Sequence, residues 1–393
     1  MKVWMVLDLM TPENEFSKRL KNVRAKMEMR RIEVLVIYSA SGSLRFGQRG
    51  HVMYISGYEP YFGHTMMILP LDEDLSPLLE IDASGYFPSE STWIENVRPA
   101  GDHIRDLKEY LLEVRLEKAK IGLVGEYSMS SSLYAGLVSE FGRSRIEVAS
   151  DILESERVVK SEYEVQCIKK ACEIAGEGIE AAAKFARVGV SEGEIVSEIE
   201  RVCRITGSQG FPHYTMVSSG RARNHVDWWW YCRERKLEQG DPWNLDFGTM
   251  YKGYCCDVAR PFSLGAPSEK QGNVFQVLVQ ALEAAQRATR EGVLASEVDR
   301  AASEVLEEAW GGDWMGIGHG VGLEVHEWPF VGWHKIVYDK AYRDMKLKTN
   351  MVISIEPQVT LPEVGYMQIE DVFRVTKRGC EVLTDVPREI IET

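Results

Sequence analysis

Two apolar stretches, each carrying a pair of acids, constrain this chain more than any other feature. The first, Trp243-Asn244-Leu245-Asp246-Phe247-Gly248-Thr249-Met250-Tyr251-Lys252-Gly253-Tyr254-Cys255-Cys256-Asp257, has the pattern of two short strands around a turn carrying Lys252-Gly253. An even loop centred on Tyr251-Lys252 sets Asp246 directly opposite Asp257, with Cβ atoms roughly 5 Å apart, where like charges repel. Two carboxylates so placed in an apolar hairpin call for a cation between them. In the second stretch, Ser354-Ile355-Glu356-Pro357 and Met367-Gln368-Ile369-Glu370-Asp371 flank a Pro362-Glu363-Val364-Gly365 turn. A loop centred on Glu363 sets Glu356 opposite Glu370, a register that a bulge would break. One such hairpin is as well explained by a solvated turn with incidental acids; two in one chain are not. Between them, Gly318-His319-Gly320-Val321-Gly322-Leu323-Glu324-Val325-His326-Glu327 supplies imidazoles.

Asp246, Asp257, His319, Glu356 and Glu370 together form a hard, oxygen-rich donor set. It suits Mn²⁺, Fe²⁺, Co²⁺ or Zn²⁺ rather than a thiolate-type structural zinc site. The formal negative charge of four carboxylates exceeds what one divalent ion needs, so two ions are expected. Ions roughly 3.5–4 Å apart share bridging carboxylates and a bridging water, lower the pKa of that water and polarise a carbonyl. Cys255 and Cys256 are adjacent, but strand alternation turns Cys256 away from the Asp257 face, toward core packing.

The remaining composition narrows the partners. A net charge of −14 argues against a nucleic-acid backbone or an anionic membrane surface as partner. No apolar run approaches the length of a bilayer span, and Met1-Lys2-Val3-Trp4 does not open a signal peptide. Seven cysteines without a CxxC fit free thiols in a reducing cytoplasm, which is the expected location.

The 393 residues are long enough for two domains. Phe16, Leu20, Val23 and Met27 mark one apolar face of a helix over 13–30. Strands are predicted at 34–38, 65–69, 77–81 and 120–124, alternating with helices at about 102–116 and 131–141, which gives an α/β domain with a mixed sheet. His51, His64 and His103 are scattered through it and predict no catalytic group. A boundary near residue 155 divides the chain into 1–155 and 156–393. Beyond it the chain is helical over 161–186. There follows Arg187-Val188-Gly189-Val190-Ser191-Glu192-Gly193-Glu194, with Ser191 and Glu194 spaced as a capping box. A similar phrase recurs as Arg290-Glu291-Gly292-Val293-Leu294-Ala295-Ser296-Glu297. Each phrase follows one long helix and precedes another, at about 192–206 and 296–310, and leads toward the acids. This predicts a divergent duplication of helix–helix–hairpin units whose halves bring both acidic hairpins into one cleft.

These stretches resemble the pita-bread metallopeptidases, the family of methionine aminopeptidase, proline aminopeptidase, prolidase and creatinase. The matching phrases are Leu245-Asp246-Phe247-Gly248, Gly253-Tyr254 through Asp257-Val258-Ala259-Arg260, Gly318-His319-Gly320-Val321-Gly322, His326-Glu327-Trp328-Pro329, Ile355-Glu356-Pro357 and Ile369-Glu370-Asp371. They occur in the family's order and cover roughly 155–380; the amino-terminal third resembles the Xaa-Pro and creatinase-like branch less specifically. The implied fold class is α+β. It joins a carboxy-terminal pita-bread domain, of pseudo-duplicated helix–helix–β units around a curved antiparallel sheet, to an amino-terminal α/β creatinase-type domain. All five family metal-ligand positions are filled, by Asp246, Asp257, His319, Glu356 and Glu370, whereas creatinase-type members lack the full set. The resemblance implies two divalent ions and hydrolysis of an Xaa-Pro-type bond by a metal-bridging hydroxide. It also implies a homodimer, His225 and His326 as substrate-side histidines, and Glu356 as general base.

The chain departs from the family around the substrate. Gln368 stands where prolidase-like members usually carry an arginine suited to a carboxylate, and glutamine is not equivalent. Trp228, Trp229 and Trp230 follow His225 and offer an aromatic wall for an apolar group or a cation. Arg221, Arg223 and His213 are candidates for a substitute anion site. Three readings therefore stand: an Xaa-Pro dipeptidase or aminopeptidase, a non-peptide amide hydrolase or carbon–sulfur lyase acting on a small zwitterion with the same metals, and a non-enzymatic binding protein.

Overall fold

The computed structural model describes residues 12–40, 49–60, 63–81, 92–220, 234–312, 317–332, 343–362 and 364–393. His225, Trp228, Trp229, Trp230, Arg221 and Arg223 lie outside the described residues. The chain divides into two compact units, Met1–Arg157 and Val158–Thr393.

The first unit runs α1 (Glu13–Arg30), β1 (Val34–Ala40), α2 (Gly50–Ser56), β2 (His64–Pro70), β3 (Leu78–Ile81), β4 (Asn96–Pro99), α3 (His103–Glu113), β5 (Ile121–Val124), α4 (Ser131–Phe141), β6 (Ile146–Val148) and α5 (Ser150–Arg157). Its strands form one six-stranded sheet in the order β4-β3-β2-β1-β5-β6. β1 pairs antiparallel with β2 and parallel with β5, so the sheet is mixed. Every residue of β1 is buried, which is why it reads as an unbroken apolar run rather than an alternating one. Val34, Val36, Leu107, Leu123 and Leu137 share one core beneath α3 and α4. The side chain of Asp102 accepts from the backbone N–H groups of Ile104 and Arg105 and starts α3.

The histidines of this unit all have protein hydrogen-bond partners, and two of them, though distant in sequence, meet at one tyrosine. The β1–β2 register pairs Ala40 with His64, which puts Tyr38 two residues along the same face, within reach across the diagonal. The Tyr38 hydroxyl lies 2.6 Å from His64 Nδ1. His103 meets the Tyr38 ring edge-on and holds Glu80 through Nδ1 at 2.8 Å. His51 does stand apart, between Tyr127 and Arg157.

The second unit is built from two similar halves. The first half runs α6 (Glu162–Phe185), α7 (Glu192–Ile205), β7 (Met216–Ser219), β8 (Pro242–Phe247), β9 (Met250–Tyr251), β10 (Tyr254–Cys255) and β11 (Val258–Ser263). The second runs α8 (Glu269–Ala288), α9 (Ala295–Trp310), β12 (Gly318–Gly320), β13 (Glu327–Val331), β14 (Val352–Ile355), β15 (Gln358–Leu361), β16 (Gly365–Gln368) and β17 (Asp371–Val375). β18 (Cys380–Val382) and β19 (Ile391–Glu392) end the chain. The strand orders β19-β11-β8-β7 and β13-β12-β14-β17-β18 contain equivalent triplets, β11-β8-β7 and β17-β14-β12. The turn before the second helix of each half bridges back to a lysine ahead of the middle strand, Ser191 to Lys236 and Leu294 to Lys346. Ser161, Ser191 and Ser268 open α6, α7 and α8 with reciprocal capping boxes. Among the described residues no helix is long and apolar enough to cross a membrane.

The first hairpin corrects the expected register. β9 and β10 pair Tyr251 with Tyr254 and Met250 with Cys255, and β8 and β11 pair Asp246 with Ala259 rather than with Asp257. The turn is a two-residue Lys252-Gly253 loop with φ of 50° and 79°. Positive φ at both loop positions matches the twist of the flanking strands, which favours this turn over one centred a residue earlier. The difference moves Asp257 two residues along its strand from the position facing Asp246. A shift of two keeps the same face, so the two carboxylates still converge. In the second stretch the expected register holds: Gln358 pairs with Gln368 and Ile355 with Asp371, which sets Glu356 across from Glu370.

Candidate metal centre

Equivalent points of the two halves supply the acids. Asp246 lies on β8 and Asp257 just before β11; Glu356 follows β14 and Glu370 just precedes β17. His319 is the middle residue of β12, next to β14. Glu370 N donates to Ala259 O, which joins the second pair to the first.

Asp257 stands at the centre and divides its oxygens between two groups. Its Oδ1 lies 2.9 Å from His213 Nε2, which is also 3.9 Å from Asp246 Oδ1. Its Oδ2 lies 3.6 Å from His319 Nε2. The same nitrogen is 3.6 Å from Glu356 Oε1 and 3.9 Å from Glu370 Oε1. These spacings are too long for hydrogen bonds. Donors about 2.1 Å from a shared ion stand roughly 3–4 Å apart, so the spacings suit joint ligation. The His319 Nδ1 donates to the Gly320 carbonyl at 3.2 Å, which leaves its Nε2 lone pair directed at the carboxylates. Burial favours the neutral ring and lowers the His319 pKa, although Asp257 opposes this.

Electrostatics gives the same account of the donor set. Asp246, Asp257 and Glu370 are buried and Glu356 is partly so. Burial first, then the charges of Asp257, Glu356 and Asp246, push the Glu370 carboxyl well above the usual range. Burial acts to raise Asp257 as well, but the imidazoles of His213, His319 and His326 outweigh it and hold that carboxyl at about 2. Acids packed so closely ionise together only with a compensating cation, and the oxygen-rich set with one well-placed imidazole fits a hard or borderline divalent ion.

Several neighbours hold the ligands in place. Ser354 Oγ donates to Glu370 Oε1 at 2.6 Å. Gln368, expected at the substrate, is instead fully buried, and its Nε2 donates to Glu356 Oε2 at 3.2 Å. The Tyr366 hydroxyl donates to Gln368 Oε1 at 2.5 Å and so orients the amide. His213, a candidate for a substitute anion site, has its ring nitrogens at Tyr214 O and Asp257 and is turned into the acidic cluster. His326 is partly buried, with its ring centroid 4.1 Å from that of His319.

Arg260 has no place among the sequence-based candidates beyond its position in a matched phrase. It is fully buried and donates to Glu370 O at 2.7 Å, Ala259 O at 2.8 Å and Asp371 Oδ1 at 2.6 Å. Arg388 holds the other Asp371 oxygen at 2.7 Å. This clamp fixes the backbone on which Glu370 is mounted. A buried arginine is readable in sequence only once its buried acid partner is known.

Known proteins resemble this chain along most of its length. Residues 166–377 match the profile of Metallopeptidase family M24, and residues 19–159 that of the Creatinase/Prolidase N-terminal domain. An Xaa-Pro dipeptidase of Pyrococcus horikoshii is 32% identical over 271 residues, 67% of this chain and 74% of that protein. The Xaa-Pro dipeptidase of Pyrococcus furiosus is 30% identical over 285 residues, 72% of this chain and 78% of its own length. Among solved structures, an X-Pro aminopeptidase from Thermotoga maritima superimposes with a TM-score of 0.83 at 29% identity, covering 95% of this chain and 99% of that one. A prolidase from Pyrococcus horikoshii gives 0.80 at 28% identity, covering 95% and 100%.

Proposed function

This chain belongs to Metallopeptidase family M24, and from that premise we propose that it hydrolyses the bond before proline in Xaa-Pro dipeptides at a centre of two divalent ions. The observation that supports two ions best is the division of Asp257, with Oδ1 against His213, which also faces Asp246, and Oδ2 against His319, which also faces Glu356 and Glu370. Asp246 and Asp257 Oδ1 would hold one ion, and Asp257 Oδ2, His319, Glu356 and Glu370 the other. When bound, such ions would polarise the scissile carbonyl and lower the pKa of a bound water.

The chain's own groups do the rest. Glu356, the least buried of the four carboxylates, accepts the proton of the attacking water and delivers it to the departing proline nitrogen. Gln368 keeps that carboxylate aimed through its Nε2–H bond. His326, against His319, donates to the substrate oxygen that gains charge, and His225 assists it. By residue type alone, the guanidinium groups of Arg221 and Arg223 suit the substrate's carboxylate and the indoles of Trp228, Trp229 and Trp230 suit its side chain.

The test is a screen after chelation and reloading with Mn²⁺, Co²⁺, Fe²⁺ or Zn²⁺. It compares Xaa-Pro dipeptides, longer Xaa-Pro peptides, and small amide or sulfonium zwitterions. Metal-restored turnover of dipeptides above the other classes is expected; zwitterion turnover without peptide cleavage overturns the peptidase reading.

A further inference from the structure

We infer that His213 is itself a metal ligand, completing the Asp246–Asp257 side of the centre as His319 completes the other. The inference rests on the two-ion reading and adds to it a donor outside the five-residue set.

The argument begins with the ring's own hydrogen bond. His213 Nδ1 lies 2.9 Å from the carbonyl oxygen of Tyr214. A carbonyl only accepts, so Nδ1 carries the hydrogen, and in the neutral ring the lone pair resides on Nε2. That nitrogen points at Asp257 Oδ1, 2.9 Å away, and at Asp246 Oδ1, 3.9 Å away. In a neutral imidazole this places a lone pair against two carboxylates, an arrangement that an ion among the three donors makes favourable. His213, Asp246 and Asp257 are all buried, and their donor atoms lie within 4.8 Å of one another. A backbone carbonyl on the far ring nitrogen is the arrangement that holds a ligating histidine in orientation and raises its basicity. His319 shows the same pattern through Gly320.

The alternative geometry is an imidazolium donating Nε2–H to Asp257, which makes His213 a positioning residue and leaves the ion to carboxylates alone. The two differ in what the metal sees. Chelated wild-type protein, His213→Ala and His213→Gln are each titrated with Co²⁺ alone. Affinities and stoichiometry are read by calorimetry, and the imidazole count by X-ray absorption at the cobalt edge. If His213 ligates, His213→Ala loses one imidazole from the cobalt signal, and one of the two ions binds at least about 10–100-fold more weakly. His213→Gln retains a side-chain N–H donor for Asp257 but does not restore the imidazole or the affinity.

Two ions bound by His213→Ala with unchanged affinity and imidazole count overturn the inference while leaving the two-ion reading intact. Full recovery of affinity by His213→Gln likewise overturns it in favour of positioning. A wild-type chain that binds a single Co²⁺ and loses an imidazole on His213→Ala sustains His213 as a ligand but refutes the two-ion reading and, with it, the division of the centre into two sides.

Discussion

The two halves of the second unit start from the same architecture and furnish the centre differently. Each provides a helix pair, three strands in the same spatial order, and an acid just before the last of them, Asp257 ahead of β11 and Glu370 ahead of β17. The first half uses aspartates and a two-residue turn, the second glutamates and a longer hairpin. The first half's Asp257 is held low by imidazoles, whereas the second half's Glu370 is pushed up by burial and by its fellow acids. Duplication therefore sets where the carboxylates sit, and the added imidazoles and amides decide how each behaves.

Removing the shared ligand is the most severe way to break this pairing. Asp257→Ala takes an oxygen from both sides of the centre; metal content should fall and kcat/KM should drop by about 10³-fold or more, as several kcal/mol of transition-state stabilisation is lost. Wild-type metal content and activity in this variant contradict the account. Next comes the clamp where the halves meet. Arg260→Leu leaves Asp371 buried with Arg388 alone, and should cost about 3–5 kcal/mol in urea unfolding. A third change acts on one half only. Gln368→Leu removes the amide from Glu356 and should weaken metal binding about 10–100-fold, with the fold unaltered by circular dichroism.

Acid should separate the halves in the chelated protein. Glu370 has a raised folded pKa, so the folded state binds the extra proton, and stability falls as pH rises from about 4.3 toward that raised value. Asp257 works oppositely: its contribution is complete above about pH 4 and is lost as pH falls toward 2. Chelated protein should therefore melt higher at pH 5 than at pH 8, and loaded protein should lose most of that difference because the cation replaces the proton. The smallest effect concerns the caps. Ser191 and Glu194 bond reciprocally at the start of α7, while at α9 Leu294 provides only its N–H, to Glu297. Ser191→Ala should cost about 1 kcal/mol and Leu294→Ser should gain somewhat less, read as shifts in the denaturation midpoint.

What sequence could reveal followed from periodicity and local spacing. The helix over 13–30, the capping box at Ser191 and the repeated phrase were legible because each is written within a few residues. Asp246 and Asp257 were legible as a converging pair even with the turn misplaced, because strand alternation forgives a shift of two and not of one. The meeting of His64 and His103 at Tyr38 was hidden because it depends on sheet register between distant segments. His213 was hidden for a related reason. It lies on the approach to β7, where neither alternation nor a ligand-spacing rule applies, and only the folded chain carries it to Asp257. Gln368 looked like a lost substrate contact because its residue type is informative about charge and silent about direction.

The most direct measurement is a crystal structure of the manganese-loaded protein, with the ions located by anomalous scattering. The account predicts two peaks about 3.5–4 Å apart, on either side of the Asp257 carboxylate. A single peak, or a pair that leaves Asp257 contacting only one ion, would contradict it.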